Sequence, residues 1–552
     1  ATGLPSYAQP EEVVFGDVSA KAVKITILSN HGGLLPAYGV SEAQFFAVPV
    51  KARTPDPADQ SVDVMPNVVA TWRAGRGADT HRVLISQDAT AVSEGLSVVS
   101  NTNSIDMSTL GLQLGETYYW QVVEVNENNV PSEWASDVWT LSTVDRVMVD
   151  DFERYSNFSP DRPFQTWVDG IGYSADEFFS VGYNGNGSGA AIGHDVWSLS
   201  SPHYDGAIME QVLTAEASGQ SMPIYYSGNS NTDRTFGTPQ DWSMAGITTL
   251  VVNFNGDRAN DAGTLYITIN GKRVDYPTAS ALSAGIWTQW NVDLASVGTD
   301  LSQINTMTLG VESGGSGVVY VDQISLYSTP PESPISSDPG TANLAAQYSF
   351  ENDLTDGSGH GLTGTPTGLP TFENGLAGNG LALSLNGADD FVEVPVGDIV
   401  ASSTSMSIAC WANFSNEGGA WQRLWDFGSG SNANPYMFMC PRSGTTGPTR
   451  FAIRSATVGE QIIDGPSTLP SGWQHVAVVI DGDAGVITMY INGTVAVQGT
   501  TAVVPSDLGV TTQNYLGKSQ WPDALYQGSL DELLIYTTVL TEGEVRYLAG
   551  DR

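Results

Sequence analysis

Gly528-Ser-Leu-Asp-Glu-Leu-Leu-Ile-Tyr536 is the stretch on which the reading of the fold turns. It alternates as a β-strand does, with Leu530, Glu532, Leu534 and Tyr536 on one face and Asp531, Leu533 and Ile535 on the other. Val319-Tyr-Val-Asp-Gln-Ile-Ser-Leu-Tyr327 repeats the design, with Asp322 in the place of Asp531. An acid set among apolar residues is costly to bury unless a cation or hydrogen bonds compensate it. Each strand also has acids at the start of its own region, Asp150-Asp-Phe-Glu153 for the first and Tyr348-Ser-Phe-Glu-Asn-Asp353 for the second. The pattern predicts two β-sandwiches, each closed by pairing its first and last strands, with a calcium ion near each seam.

Composition agrees with that reading. The chain has 552 residues, enough for three or four domains, with 60 Gly and 28 Pro and many short alternating runs. The fold class expected is all-β, several β-sandwich or jelly-roll domains in tandem. A formal net charge of −39 excludes nucleic acid and anionic membrane surfaces as natural partners. The excess acid reads as solubility together with oxygen ligands for a hard cation. No apolar run reaches the ~18 residues of a membrane span, so membrane insertion is not expected. The first residue is Ala, which reads as a processed mature chain or a fragment. Cys410 and Cys440 lie in predicted neighbouring strands and leave open a disulfide or two buried thiols.

Along the chain, residues 1–50 carry Ala22-Val-Lys-Ile-Thr-Ile-Leu28 and Val40-Ser-Glu-Ala-Gln-Phe-Phe46, both read as strands around an Asn- and Gly-bearing loop. They resemble the last third of a discoidin-like sandwich whose front strands are missing; either the chain was cut from a longer precursor, or these strands pair with another edge, in the same chain or in a second copy. Residues 51–145 hold Val68-Val-Ala-Thr-Trp72, Arg82-Val-Leu-Ile-Ser86 and Leu114-Gly-Glu-Thr-Tyr-Tyr-Trp-Gln-Val-Val123. These resemble a fibronectin type III module, which implies a spacer.

Residues 146–328 open on Val147-Met-Val-Asp-Asp-Phe-Glu153 and close on the Asp322 strand. Both ends resemble those of family 11 carbohydrate-binding jelly rolls, which implies a structural calcium held by Asp151, Glu153 and Asp322. The Gly- and Asn-rich loop from Gly182 to Gly193 reads as mobile. Residues 329–342, rich in Pro and Ser, read as a semi-rigid spacer. Residues 343–552 contain Leu383-Ser-Leu-Asn-Gly-Ala-Asp-Asp-Phe-Val-Glu-Val394, Gly472-Trp-Gln-His-Val-Ala-Val-Val-Ile480 and Thr488-Met-Tyr-Ile-Asn-Gly493. They resemble the laminin-G-like, concanavalin-type jelly roll of bacterial surface proteins, and calcium there would use Glu351, Asp356 and Asp531. Thr541 and Glu544 form a capping box for a short terminal helix.

Sugar binding needs aromatic faces beside polar groups. Trp421 and Trp425 flank Arg423, and Trp521 lies in Lys518-Ser-Gln-Trp-Pro-Asp523; in the first jelly roll the candidates are Trp167, Trp197 and Tyr225. Trp197, Trp421 and Trp521 are the set chosen for carbohydrate binding. The acids of Glu351-Asn-Asp-Leu-Thr-Asp356 have the spacing of a glucanase strand, but Asn352, Thr355 and the following Gly357 break strand character, so no catalytic residue is assigned. The whole resembles the multidomain surface proteins of planctomycete-like bacteria. That implies a secreted or cell-surface, non-catalytic, calcium-stabilised protein that binds polysaccharide or glycoprotein glycans. The alternatives are a subunit of a surface layer or filament, built from copies of itself, and the accessory region of a polysaccharide-degrading enzyme.

Overall fold

Short alternating runs punctuated by Gly, Pro and Asn become antiparallel strands throughout, and the protein is all-β. A computed structural model describes residues 12–14, 22–28, 43–45, 49–193, 206–215, 218–376, 380–432 and 434–550. Two compact units result, one of residues 1–60, 69–105 and 118–141, the other of residues 61–68, 106–117 and 142–552.

In the smaller unit the strands Thr80–Ser86 and Thr117–Val125 pair antiparallel. Trp120 is the centre of its core, with ring centroids 6.4 Å from Trp72 and 4.9 Å from Trp139. The buried His81 and Glu124 pair with each other, and Glu124 also accepts the Gly75 N–H at 2.8 Å. Residues 22–28, expected as a paired strand, are instead exposed along their whole length and outside any sheet. The 40–46 stretch lies mostly outside the described residues.

The larger unit contains two jelly rolls of one plan. In the first, the long final strand Ser316–Tyr327 lies between Thr249–Gly256 on one edge and two strands in tandem on the other. Met222–Ser227 pairs with its first half, up to Val321, and Arg146–Asp150 with its second half, from Ile324. A five-stranded sheet containing Ser230–Gln240, Ile304–Ser313 and Gly263–Ile269 covers the core of Phe152, Trp167, Phe254, Ile267 and Val321. In the second, Leu381–Asn386 pairs with Gln527–Tyr536 up to Leu530, and Leu344–Tyr348 pairs with it from Leu533. First and last strands therefore close each sandwich, as the sequence implied.

The alternation read from 528–536 does not survive intact. Glu532 has φ 46°, a left-handed residue that acts as a bulge. Leu530, Leu533 and Ile535 all face the core, while Leu534 and Tyr536 face outward against the Glu542–Leu548 helix. One inserted residue shifts the period, so Leu530 and Leu534 take opposite faces. The helix begins at the expected capping box, Thr541 with Glu544.

Residues 329–342 are no free spacer. Gln289 donates to the Pro331 carbonyl at 2.8 Å, Ser337 N–H to Gly543 O at 3.2 Å, and Tyr536 O–H to Gly340 O at 3.2 Å. Around them the two jelly rolls touch directly. The Arg258 guanidinium lies over the Trp411 ring and donates to Ala549 O at 3.0 Å, and Arg546 reaches the Trp287 carbonyl at 3.2 Å. The Gly182–Gly193 loop, expected to be mobile, is tied to the five-stranded sheet: Asn186 donates to Asn231 Oδ1 at 2.7 Å and Asp233 Oδ2 at 2.8 Å. Cys410 and Cys440 are free and buried, on strands of different sheets, so their strands are not neighbours.

Candidate functional site

In the second jelly roll, the seven-stranded sheet packs Trp425, Phe427, Met437, Met439 and Phe451 into the core. The alternate residues form its outer face. Glu393, Tyr515, Asp426, Phe438, Ala452 and Ile462 stand side by side in one cross-strand row. Tyr436 and Cys440 flank Phe438, and Trp421 and Trp521, a hundred positions apart in sequence, both pack on this patch. The Trp521 ring meets Tyr436 edge-on, centroids 4.8 Å apart. Both tryptophans remain half-buried, so part of each ring faces solvent.

The polar groups beneath them are built in. Arg423 stacks on Phe438 with its guanidinium carbon 3.9 Å from the ring centre, and lies 3.4 Å from both Asp426 and Asp523. Asp426 is fully buried; one oxygen accepts the Gln520 N–H at 3.1 Å, while Oδ1 and the Arg423 Nε make no hydrogen bond. Burial pushes the Asp426 carboxyl up to about 7, against the pull of Arg423. Gln520 further holds Gly430 N and Gln513 O, so the loop bearing Trp521 is anchored over the sheet. Trp421 has φ 62°, a left-handed conformation unfavourable for a bulky side chain. Its ring lies between Arg423 and Arg450, at 5.7 Å and 5.5 Å. A left-handed tryptophan held between two cations thus stands beside a second half-open indole.

The other aromatic candidates fall elsewhere. Trp425 and Trp167 are core residues, fully buried, and Tyr225 is half-buried. Trp197 lies outside the described residues.

The acid seams share one device. Asp322 falls in the gap between the halves of its strand paired to Met222 and to Asp150, and Asp531 falls in the equivalent gap between Leu530 and Leu533. Both are fully buried. The next residue is left-handed in each case, Gln323 and Glu532, and its N–H turns back onto the acid's own Oδ1 at 2.8 Å and 2.9 Å. On the opening side, Phe152 and Phe350 are also left-handed and turn Glu153 and Glu351 toward the acids. Asp151 and Glu153 therefore do not share a strand face, because the strand ends at Asp150.

The two seams differ in how they are filled. Glu153 Oε1 accepts from the Ser218 hydroxyl at 2.6 Å and from the Gly219 and Gln220 N–H groups at 2.7 Å and 3.2 Å. Asp322 Oδ2 accepts the Ala215 N–H at 3.0 Å, and burial pushes its pKa up to about 6. Three donors crowd Glu153 Oε1 and each Asp322 oxygen meets an N–H, so these acids are already partly compensated without a cation. At the second seam Glu351 accepts the Leu381 N–H at 3.1 Å; Asp531 Oδ2 is buried with no well-formed hydrogen bond, and burial, Glu532 and Glu351 raise its pKa to about 7 although the N–H groups of Glu532 and Leu376 pull it down. Gly375 and Gly380 make room there: a Cβ would fall 2.7 Å from Asp531 Oδ2 and 1.9 Å from Glu351 Oε1 respectively. An orphaned carboxylate oxygen, a second carboxylate and a glycine cradle fit a hard cation. Asp356 belongs elsewhere, accepting N–H from Gln347, Ser358 and Leu362 at 3.0, 2.9 and 3.1 Å. Asp151 accepts the Glu153 N–H at 3.2 Å. Among the described residues no three His, Cys, Asp or Glu side chains gather to hold a metal, so neither three-carboxylate set is assembled.

Sequence reading also missed Asp150. It is the buried hub of the first jelly roll, accepting from Trp167 Nε1 at 2.9 Å and Tyr155 O–H at 2.7 Å and pairing with Arg234 at 2.5 Å. Adjacent acids at a strand end look alike in sequence.

With this geometry in place, comparison with known proteins is informative for one part of the chain. Residues 386–546 match the laminin-G family model described as the concanavalin A-like lectin/glucanases superfamily. The C-terminal jelly roll is concanavalin-like. No curated protein matches the chain. Solved structures with likeness include domain 4 of AbnA, an extracellular arabinanase from Geobacillus stearothermophilus in complex with arabinotriose, at 28% identity, 38% of this chain, 98% of that one and a TM-score of 0.32. The sialidase carbohydrate-binding module of Ruminococcus gnavus bound to sialyllactose has 16% identity, covering 31% and 96%, with a TM-score of 0.27. A botulinum neurotoxin type C structure described as interacting with two ganglioside molecules has 16% identity, covering 38% and 51%, with a TM-score of 0.30. No helix among the described residues is long and apolar enough to cross a membrane.

Proposed function

We propose that the protein is an extracellular, non-catalytic glycan-binding protein, and that the outer face of the seven-stranded sheet binds the sugar. The observation that carries this is the convergence of Trp421 and Trp521 on one patch, each half-open, with Arg423 and Asp426 bound beneath them. Aromatic faces stack on the apolar faces of sugar rings, and anchored polar groups fix orientation. The concanavalin-like match over residues 386–546 supports the same reading. The test is retention on immobilised polysaccharide or glycoprotein. Trp421→Ala/Trp521→Ala melts lower for the lost packing but stays folded at the assay temperature and loses retention; unchanged retention removes the assignment.

Calcium belongs to this proposal at the Glu351–Asp531 seam. There Asp531 Oδ2, Glu351 and backbone carbonyls would hold the ion, which would offset the charge of a buried carboxylate and brace the sandwich closure.

A second reading, a subunit of a surface layer or filament, has its own support. Residues 22–28 are exposed and outside any sheet, and Val23, Ile25, Ile27 and Leu28 carry exposed apolar side chains, a stretch suited to strand addition onto another copy. Ile25→Asp/Ile27→Asp then abolishes concentration-dependent assembly in light scattering.

A further inference from the structure

In the smaller unit, Leu96-Ser-Val-Val-Ser100 forms the rim of the sheet that holds Thr80–Ser86 and Thr117–Val125. Leu96 stands opposite Ile85, Val98 opposite Val83 and Val99 opposite Arg82. The other side of this strand is open. Among the described residues, no backbone hydrogen bond reaches 96–100 from anywhere but Thr80–Ser86. A row of open N–H and C=O groups is a template for another strand, and soluble proteins blunt such rims with Lys, Pro or a bulge. This rim has none of the three. Its register is unbroken over five residues, it carries no charge, and Leu96 and Val99 are 49% and 63% exposed.

The chain also carries the converse, a strand pattern without a sheet. Ala22-Val-Lys-Ile-Thr-Ile-Leu28 is rich in β-branched residues and alternates, Val23, Ile25 and Ile27 against Lys24 and Thr26. It pairs with nothing among the described residues, and Ile25 is 56% and Leu28 91% exposed. Laid beside the rim as a strand, Val23, Ile25 and Ile27 would continue the row of Leu96 and Val98, which itself extends the buried Ile85 and Val83. Charge selects the same match. Residues 18–41 hold Lys21 and Lys24 and no Asp or Glu, in a chain with 60 acids against 21 Lys and Arg. Residues 83–105 hold Asp88 and Glu94 and no Lys or Arg. Arg82, opposite Val99, is held by Glu133 at 2.6 Å. A basic segment of an otherwise acidic chain thus finds an acid-flanked rim, whereas acidic segments are repelled there.

We infer that residues 96–100 are the edge that receives the 22–28 segment of a second copy of this chain. The inference rests on the assembly reading above and supplies its receiving surface. Each chain then carries one donor and one acceptor, two different surfaces in a heterologous contact. Sedimentation velocity of the full chain over a concentration series tests it. Leu96→Lys/Val99→Lys places two charges on the rim at exposed positions, where they block pairing and repel Lys24; Val99→Lys alone is the milder variant. Circular dichroism checks that both stay folded. The wild type gains mass with concentration, while the rim variants and Ile25→Asp/Ile27→Asp sediment as monomers. The decisive arm mixes the double rim variant with the donor variant. The first keeps its donor and the second keeps its rim, so a 1:1 complex forms from two chains that are monomeric alone. A mixture that stays monomeric overturns the inference. Folded rim variants that assemble as the wild type does, while the donor variant does not, overturn it and leave the assembly reading standing with another acceptor. Assembly lost in the rim variants but kept in the donor variant gives the rim to a different segment and also overturns it. If the wild type is monomeric throughout, both readings fail together.

Discussion

Arg258 of the first jelly roll sits with its guanidinium carbon 4.0 Å from the centre of the Trp411 ring of the second. Trp411 in turn meets His475 edge-on, centroids 5.1 Å apart, and stands opposite Asp531 in the strand register. Burial lowers the Arg258 pKa to about 10 against the pull of Asp257, and among the described residues no carboxylate forms an ion pair with it. The contact is a cation on an aromatic face, worth roughly 0.5–2 kcal/mol when desolvated. Arg258→Ala therefore loosens the two jelly rolls, and limited proteolysis of the full chain reports faster cleavage within residues 329–342. Arg258→Lys restores little, since a point charge cannot stack as a planar guanidinium does.

Removal of divalent metal is predicted to act on one seam. Chelation lowers the unfolding temperature of the larger unit, and Asp531→Asn abolishes the difference between chelated and calcium-saturated protein. Asp322→Asn leaves that difference in place, because its oxygens are already met by Ala215 and Gln323 N–H groups. Scanning calorimetry with and without chelator decides the matter.

Asp356 makes a pH prediction with a definite sign. Burial opposes its charge, but Ser358, Gln347 and Leu362 together hold its pKa down to about 2, below the ordinary carboxylate value. A depressed folded pKa contributes stability that is present above the unfolded value and lost as pH falls through the folded one. Between about pH 4 and pH 2 the wild type loses up to about 2 kcal/mol from this group. Asp356→Asn loses a similar amount at neutral pH and shows a shallower acid dependence in urea unfolding.

The Asp150–Arg234 pair should behave as a buried ion pair does. Asp150→Ala strands Arg234, which also lies over the Trp167 and Phe236 rings, and costs about 3–5 kcal/mol. Asp150→Ala/Arg234→Met costs less than the single change. A double-mutant cycle in chemical denaturation measures the difference.

Sequence alone placed the strands of the two jelly rolls, the closing of each sandwich by its first and last strand, and the two buried acids, because period-two alternation and an acid in an apolar run are local signals. What it missed depends on single backbone angles or on distant partners. Glu532 turns left-handed and reverses the faces that strict alternation assigns to Leu530 and Leu534. Asp356 and Asp531 look like co-ligands in sequence, yet backbone N–H groups claim the first. Trp167 and Trp421 are equally plausible ledges until packing buries one completely and leaves the other half-open. Residues 171–183 fold as a hairpin without any strand pattern, since its frame comes from one bridge between Tyr173 and Tyr183 and from the Asp176 side chain.

The tandem arrangement along each final strand has a topological corollary. Arg146–Asp150 and Leu344–Tyr348 each run antiparallel to the end of their own domain's last strand, so Arg146 lies opposite Tyr327 and Leu344 opposite Tyr536. Where the chain enters each sandwich is thus where it leaves. Either sandwich can be spliced into another protein's loop, or circularly permuted by joining those neighbouring ends and reopening a hairpin turn such as Asn270-Gly271, without asking any strand to change its neighbour.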